Sequence, residues 1–264
     1  MRKGEMTVKL SHWYGRLGNN IQQCALGTMI ARNIGGTFEQ SLDHEVIKKH
    51  KTSFGHSTEE ISSKFFYYEG QHQEIDLPIY QIRKEIRQVC KSFIYPHLQT
   101  PRVDIPDDCI VIHVRSGDVF DQRVANPCQY VPAPYDYYMQ LLDKFESAIV
   151  VTEPDNYNPI VRELGWCSKV TIQSKSVAED FGTLMSAKNI AGSGVGTFAV
   201  AAALCSRNIE KFYCTNLHIT EHLNWKMLLG GDIEVNMLQL ENYIEPGEWE
   251  NTDEQRKFLF SYKV

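Results

Sequence analysis

Between residues 108 and 215 short apolar runs alternate with segments of helical spacing, a rhythm that few architectures accommodate. Cys109-Ile110-Val111-Ile112-His113-Val114-Arg115 opens the series after Pro106-Asp107-Asp108. A nearly unbroken β-branched run of this kind belongs to a strand buried on both faces of a parallel sheet. Further strands are expected at Ser147 to Thr152, Lys169 to Ile172, Asn189 to Ala191 and Lys211 to Cys214. Helices are expected between them, at Tyr135 to Phe145, Asn158 to Leu164, Ala178 to Ala187 and Phe198 to Cys205. Parallel strands need crossover connections, so this βαβαβ order predicts a doubly wound sheet.

The first hundred residues read differently. Val8 to Trp13 is an expected strand, Gly15-Arg16-Leu17-Gly18-Asn19-Asn20 a glycine-bearing turn, and Ile21 to Gly35 a helix with apolar residues at Ile21, Ala25, Met29 and Ile30. Residues 41 to 100 are polar, carry the aromatics Phe65, Phe66, Tyr67 and Tyr68, and show one clear helix, Gln81 to Pro96, ended by proline. Composition changes at Pro101 to Asp107, which predicts an N-terminal half at 1–106 and a C-terminal half at 107–264. Pro246 to Val264 reads as a closing helix.

A chain of 264 residues with 42% hydrophobic side chains can bury a substantial core in one or two domains. Its net charge of −6 argues against a non-specific nucleic-acid binder, which needs a basic surface. No stretch approaches the roughly 18 apolar residues of a membrane span, and residues 1–10 lack the apolar core of a signal peptide. Seven cysteines without a C-x-x-C pair fit reduced thiols in a cytoplasmic setting.

Three segments could carry chemistry. His113-Val114-Arg115-Ser116-Gly117-Asp118 follows a buried strand, at the edge where open α/β sheets bind ligands. Arg115 there could clamp a pyrophosphate, Gly117 would let amides approach it, and Asp118 could take a proton or position the arginine. A surface Arg–Asp pair at a strand end accounts for the same residues. Gly15 to Asn20 precedes a helix N-terminus, which favours an anion or a sugar hydroxyl, although a plain tight turn also explains its glycines. Gly194-Val195-Gly196-Thr197-Phe198-Ala199 matches G-x-G-x-x-A and leaves an oxidoreductase open. Against that, no acid ends the strand at Lys211 to Cys214, where a ribose-binding carboxylate should sit. The zinc-protease, serine-hydrolase, P-loop and kinase patterns are absent, as is an Asp-x-Asp metal pair.

Taken together, the segments resemble a known family. Gly15-Arg16-Leu17-Gly18-Asn19-Asn20-Ile21-Gln22-Gln23 is similar to the G-G-L-G-N-Q-x-F-Q opening of the α-1,2-fucosyltransferases. His113 to Asp118 resembles their H-x-R-R-G-D motif, shared in looser form with α-1,6- and protein O-fucosyltransferases. Asp180 to Ile190 followed by Ser193 to Phe198 resembles a third motif, in family order. Arg16 stands where the family has its second glycine, and Ser116 where it has its second arginine.

The resemblance implies a GT-B-like α/β fold, two Rossmann-like halves facing across a cleft, with the first half on the acceptor side. It implies inverting, metal-independent transfer of L-fucose from GDP-fucose to a glycan hydroxyl, with no cofactor, in polysaccharide biosynthesis. In that reading Arg115 binds the diphosphate, supported by Ser116 and Gly117. Ser193, Gly194, Gly196, Thr197 and Phe198 hold phosphate at a helix N-terminus. Glu153 or Asp155 bonds guanine or ribose, and His113 supports the loop or the nucleotide base. Gly15, Arg16, Gly18, Asn19 and Asn20 line the cleft from the first half, and Asp118 and Asp121 are candidate bases. The expected partners are a nucleotide sugar and a glycan acceptor, with the protein cytoplasmic or peripheral to a membrane. Alternatives are another nucleotide sugar, or an inactive glycan- or nucleotide-binding homologue.

Overall fold

The computed structural model describes residues 6–55, 59–63, 79–123, 129–192, 196–217 and 231–264. Two sheets organise them. The first has the order β3-β2-β1-β4, with β1 (Met6–Leu10) parallel to β2 (Thr37–Gln40) and β4 (Glu59–Ser63), and β3 (His50–Ser53) antiparallel at the edge. The second sheet is wholly parallel and runs β10-β9-β8-β5-β6-β7. Its strands are β5 (Cys109–His113), β6 (Ser147–Val151), β7 (Val170–Gln173), β8 (Asn189–Ala191), β9 (Lys211–Thr215) and β10 (Glu234–Leu238).

That is the doubly wound order, in which the chain reverses direction across the sheet between β5 and β8. The segments that leave the carboxyl ends of these two paired strands therefore turn to opposite sides and leave a crevice. The site lies there.

The expected alternation is present. Helices α3 (Tyr135–Leu142), α4 (Pro159–Leu164), α5 (Val177–Ser186) and α6 (Phe198–Cys205) connect the strands of the second sheet. Ser176 caps α5 in a reciprocal box with Glu179, which satisfies two otherwise orphaned amides. Strands β2, β3, β4 and β10 were not legible as strands; β3, β4 and β10 are sheet edges, and an edge needs no apolar run. The helix expected over Gln81 to Pro96 is α2 (Ile79–Val89), continued by a π-helical turn at Cys90–Ile94 and a 3-10 turn at Tyr95–His97. Pro96 stands in that 3-10 turn and, lacking an amide hydrogen, cannot carry the helix further.

Two helices are buried almost all round. Helix α1 (Leu17–Ile34) and α6 lie between the sheets and pack on each other, in a core that includes Ile21, Leu26, Phe38, Phe181 and Phe212. A helix apolar on every side belongs in such an interior. Gly18 makes the packing possible, since a Cβ there would stand 2.5 Å from the Thr197 carbonyl carbon. The two halves are thus locked through the N-terminal turns of α1 and α6, beside the crevice.

A second core covers the other face of the larger sheet with Tyr137, Tyr138, Leu141 and Trp249. The closing helix is α7 (Asp253–Ser261), capped by Thr252. The C-terminal segment braces the site from behind. Trp249 Nε1 donates to the Val119 carbonyl at 3.0 Å, and Arg256 Nη2 to the Phe120 carbonyl at 3.1 Å. Two α/β halves meeting at a cleft make the chain GT-B-like, with a Rossmann-ordered second half and a smaller first sheet.

Candidate active site

A cavity of about 600 Å³ opens at the crevice. The first half contributes Trp13, Gly15, Arg16, Leu17, Gly18, Asn20, His44 and Glu45 to its wall. The second contributes His113, Arg115, Val151, Thr152, Glu153, Pro154, Lys175, Val177, Asp180, Gly196, Thr197 and Phe198.

Arg115 sits just beyond β5 and is fixed. Its Nη2 donates to Asp118 Oδ1 and Oδ2 at 2.9 and 2.8 Å, its Nε lies 3.3 Å from Oδ1, and its guanidinium stacks 4.0 Å above the Tyr130 ring. A planar fork held on a carboxylate and an aromatic face loses little entropy when it meets an anion. Its Nη1 faces Gly196, whose φ of 117° belongs to the left-handed region.

The loop that carries Arg115 is held by acids. Ser116 N donates to Glu153 Oε2 at 2.7 Å, and Gly117 N to Asp155 Oδ2 at 2.8 Å. Ser116 Oγ donates to Asp155 Oδ1 and accepts from Asn158 N at 3.1 Å. Asn158 Nδ2 closes the set on the Arg115 carbonyl at 2.8 Å. Glu153 and Asp155, expected beside guanine or ribose, here order the Ser116–Gly117 backbone.

Two helix N-termini point at the cavity. Among the described residues, neither α1 nor α6 has a side-chain cap or an acidic residue in its first turn. Uncapped amides at the positive end of a helix dipole are an anion site in waiting. Thr197 Oγ1 donates to Asn19 Oδ1 at 2.6 Å and ties the two turns together. Asn20 serves the wall: its Nδ2 donates to the Tyr14 carbonyl and its Oδ1 lies 3.1 Å from His44 Nε2. Because His44 Nδ1 accepts from Val46 N at 2.9 Å, its proton is on Nε2, and burial lowers its pKa.

His113 faces the cavity with its ring centroid 5.0 Å from that of Phe198. Burial pushes its pKa down to about 4; the nearby Glu153 opposes the shift, and Arg115 and Arg16 add to it. The imidazole is therefore neutral at neutral pH. Asp180, from the third motif, accepts from Gln173 Nε2 at 2.7 Å and from Lys175 N at 3.1 Å, and burial raises its pKa.

Neither candidate base is part of the cavity wall: Asp118 adjoins it through Arg115, and Asp121 is paired elsewhere. Arg123 donates to it from its backbone N at 3.0 Å and from Nε at 2.8 Å, and these bonds hold its carboxyl below the usual range. Ser193 and Gly194 lie outside the described residues. Sequence reasoning missed Trp13, His44, Glu45, Thr152 and Lys175, which reach the site from loops without motif character. Thr152 Oγ1 is buried at the cavity with no hydrogen-bond partner among the described residues, a polar atom left for a ligand. No group of three His, Cys, Asp or Glu side chains among the described residues is placed to hold a metal ion.

No family model and no curated protein matches the chain. Two solved structures resemble it. One is the bacterial iron-containing dodecameric glycosyltransferase TibC from enterotoxigenic E. coli H10407, 12% identical, with all of this chain and 74% of that one covered and a TM-score of 0.44. The other is POFUT1 in complex with GDP, 9% identical, with 91% of this chain and 99% of that one covered and a TM-score of 0.40. Likenesses this slight carry nothing about activity.

Proposed function

We propose that the chain is a glycosyltransferase that takes L-fucose from GDP-fucose to a glycan hydroxyl, with inversion and without a metal. One observation carries the reading: Arg115 is held rigidly at the strand-order reversal, beside the uncapped N-termini of α1 and α6. A nucleoside diphosphate is the leaving group such donors suit. Fixed cations and amides aimed where charge develops stabilise its departure without reorganising.

The acceptor oxygen attacks the anomeric carbon as its bond to the diphosphate breaks, and the acceptor proton passes to a base. Of the two aspartates, Asp118 is the one beside Arg115. It is the candidate base that this reading keeps. The motif resemblance supplies the choice of fucose and of GDP; the geometry supports a diphosphate of any nucleotide sugar.

Incubation with GDP-fucose and a panel of oligosaccharides tests the reading. The expected product is α-linked, GDP release continues in EDTA, and turnover falls by about 100-fold or more in Arg115→Ala, in line with loss of one preorganised donor. A β-linked product, or activity that EDTA abolishes, contradicts the mechanism. Turnover of another nucleotide sugar alone would keep the fold of the site and replace the donor.

A further inference from the structure

Arg16 is an odd residue for its position. It is the N-cap of α1, with extended backbone (φ −100°, ψ 179°), and its side chain makes no cap bond. Ser, Thr, Asp and Asn favour that position because they accept an amide hydrogen, which arginine cannot do. Its charge also lies at the positive end of the helix dipole, where a cation is unfavourable. Its position at the cavity mouth supplies the reason that capping does not.

The guanidinium reaches across the cleft from the first half to the second. Its Nη1 lies 3.0 Å from Glu153 Oε1 and its Nη2 3.5 Å from Asp118 Oδ2. Asp118 is the carboxylate that also holds Arg115, so two guanidiniums flank one acid. The four side chains sum to zero charge. A diphosphate entering this group would meet two cations already neutralised by two carboxylates.

The two arginines are held to very different degrees. Arg115 is 17% exposed, forked on Asp118 and stacked on Tyr130. Arg16 is 62% exposed, and such surface ion pairs are worth between nothing and about 1 kcal/mol. Moving it is cheap. Glu153 stays behind, because its other oxygen accepts the Ser116 amide.

We propose that Arg16 is an exchangeable latch that bridges the cleft to Glu153 and Asp118 and leaves them for the phosphates of the donor. The latch rests on the diphosphate reading of the site and gives the second phosphate-binding guanidinium to the opposite half of the molecule. Occupancy and attachment of the two halves are thereby coupled. The acids set affinity by competing for Arg16, and a bound diphosphate replaces a bridge between protein groups with one through the ligand.

Calorimetric titration of the full chain with inorganic pyrophosphate and with GDP tests this in wild type, Arg16→Ala, Arg16→Lys, Glu153→Gln and the Arg16→Ala/Glu153→Gln double variant. The latch predicts at least about 10-fold weaker binding of both probes in Arg16→Ala, the size of a lost charge-assisted contact. Arg16→Lys should fall between that and wild type. Glu153→Gln should bind several-fold tighter, and the gain should vanish in the double variant, since Glu153 acts through Arg16. A gain that persists without Arg16 makes Glu153 a simple repulsive charge and overturns the latch. Unchanged binding in Arg16→Ala overturns it too, while leaving the diphosphate site standing. If Glu153→Gln fails to fold through loss of the Ser116 bond, the three Arg16 proteins decide alone. Wild type that binds neither probe overturns both the latch and the diphosphate reading.

Discussion

At the scale of single residues, the site depends on groups whose protonation the fold has set in advance. His113 carries a pKa of about 4, so the folded protein resists charging an imidazole that the unfolded chain would protonate near 6.5. A folded pKa below the unfolded one makes the contribution complete above pH 6.5 and progressively lost as pH falls from 6.5 through 4. His113→Gln should therefore flatten the pH dependence of stability across that window, as read by urea unfolding at several pH values. An unchanged slope would show that His113 is not the group responsible. Which residues mattered was legible where they ended a strand or began a helix, as with His113, Arg115 and Thr197. It was not legible for Trp13, His44 and Glu45, whose proximity to the second half exists only once the two halves meet.

At the scale of elements, the decisive contact is between the first turns of α1 and α6. Gly18 allows it, and a methyl group there would meet the Thr197 backbone, which cannot yield like a flexible side chain. Gly18→Ala should cost roughly 1–3 kcal/mol, the usual penalty for overpacking, and should weaken GDP binding by parting the two N-termini. Chemical denaturation beside a GDP titration checks both effects. A variant as stable as wild type with unchanged affinity would mean that this contact does not build the site. The buried parallel strands were legible because both faces demand β-branched residues, as in Cys109–His113. Strands β2, β3, β4 and β10 were not, because pairing rather than composition makes them strands.

At the scale of the whole molecule, one arrangement serves both stability and binding. The two sheets share a buried helical layer, and the same α1–α6 contact that joins them directs two uncapped dipoles into one cavity. The order β10-β9-β8-β5-β6-β7 leaves its crevice between β5 and β8, with Arg115 at its edge. The alternation along the sequence foretold that crevice. The contribution of the smaller first half was legible only at Gly15 to Asn20, as a glycine turn before a helix N-terminus and as a resemblance, and the Trp13–His44 wall was not legible at all.

The central claim is that Arg115 anchors a nucleoside diphosphate at this crevice. Thermal unfolding of wild type and Arg115→Ala with GDP, UDP, CMP, ADP and NAD tests it most directly. A ligand at 100 times its dissociation constant stabilises by about 2.7 kcal/mol, a readily measured shift. The account predicts a shift with GDP, smaller or none with NAD, and loss of the GDP shift in Arg115→Ala. No shift with any nucleotide, or a GDP shift that survives removal of Arg115, would contradict it.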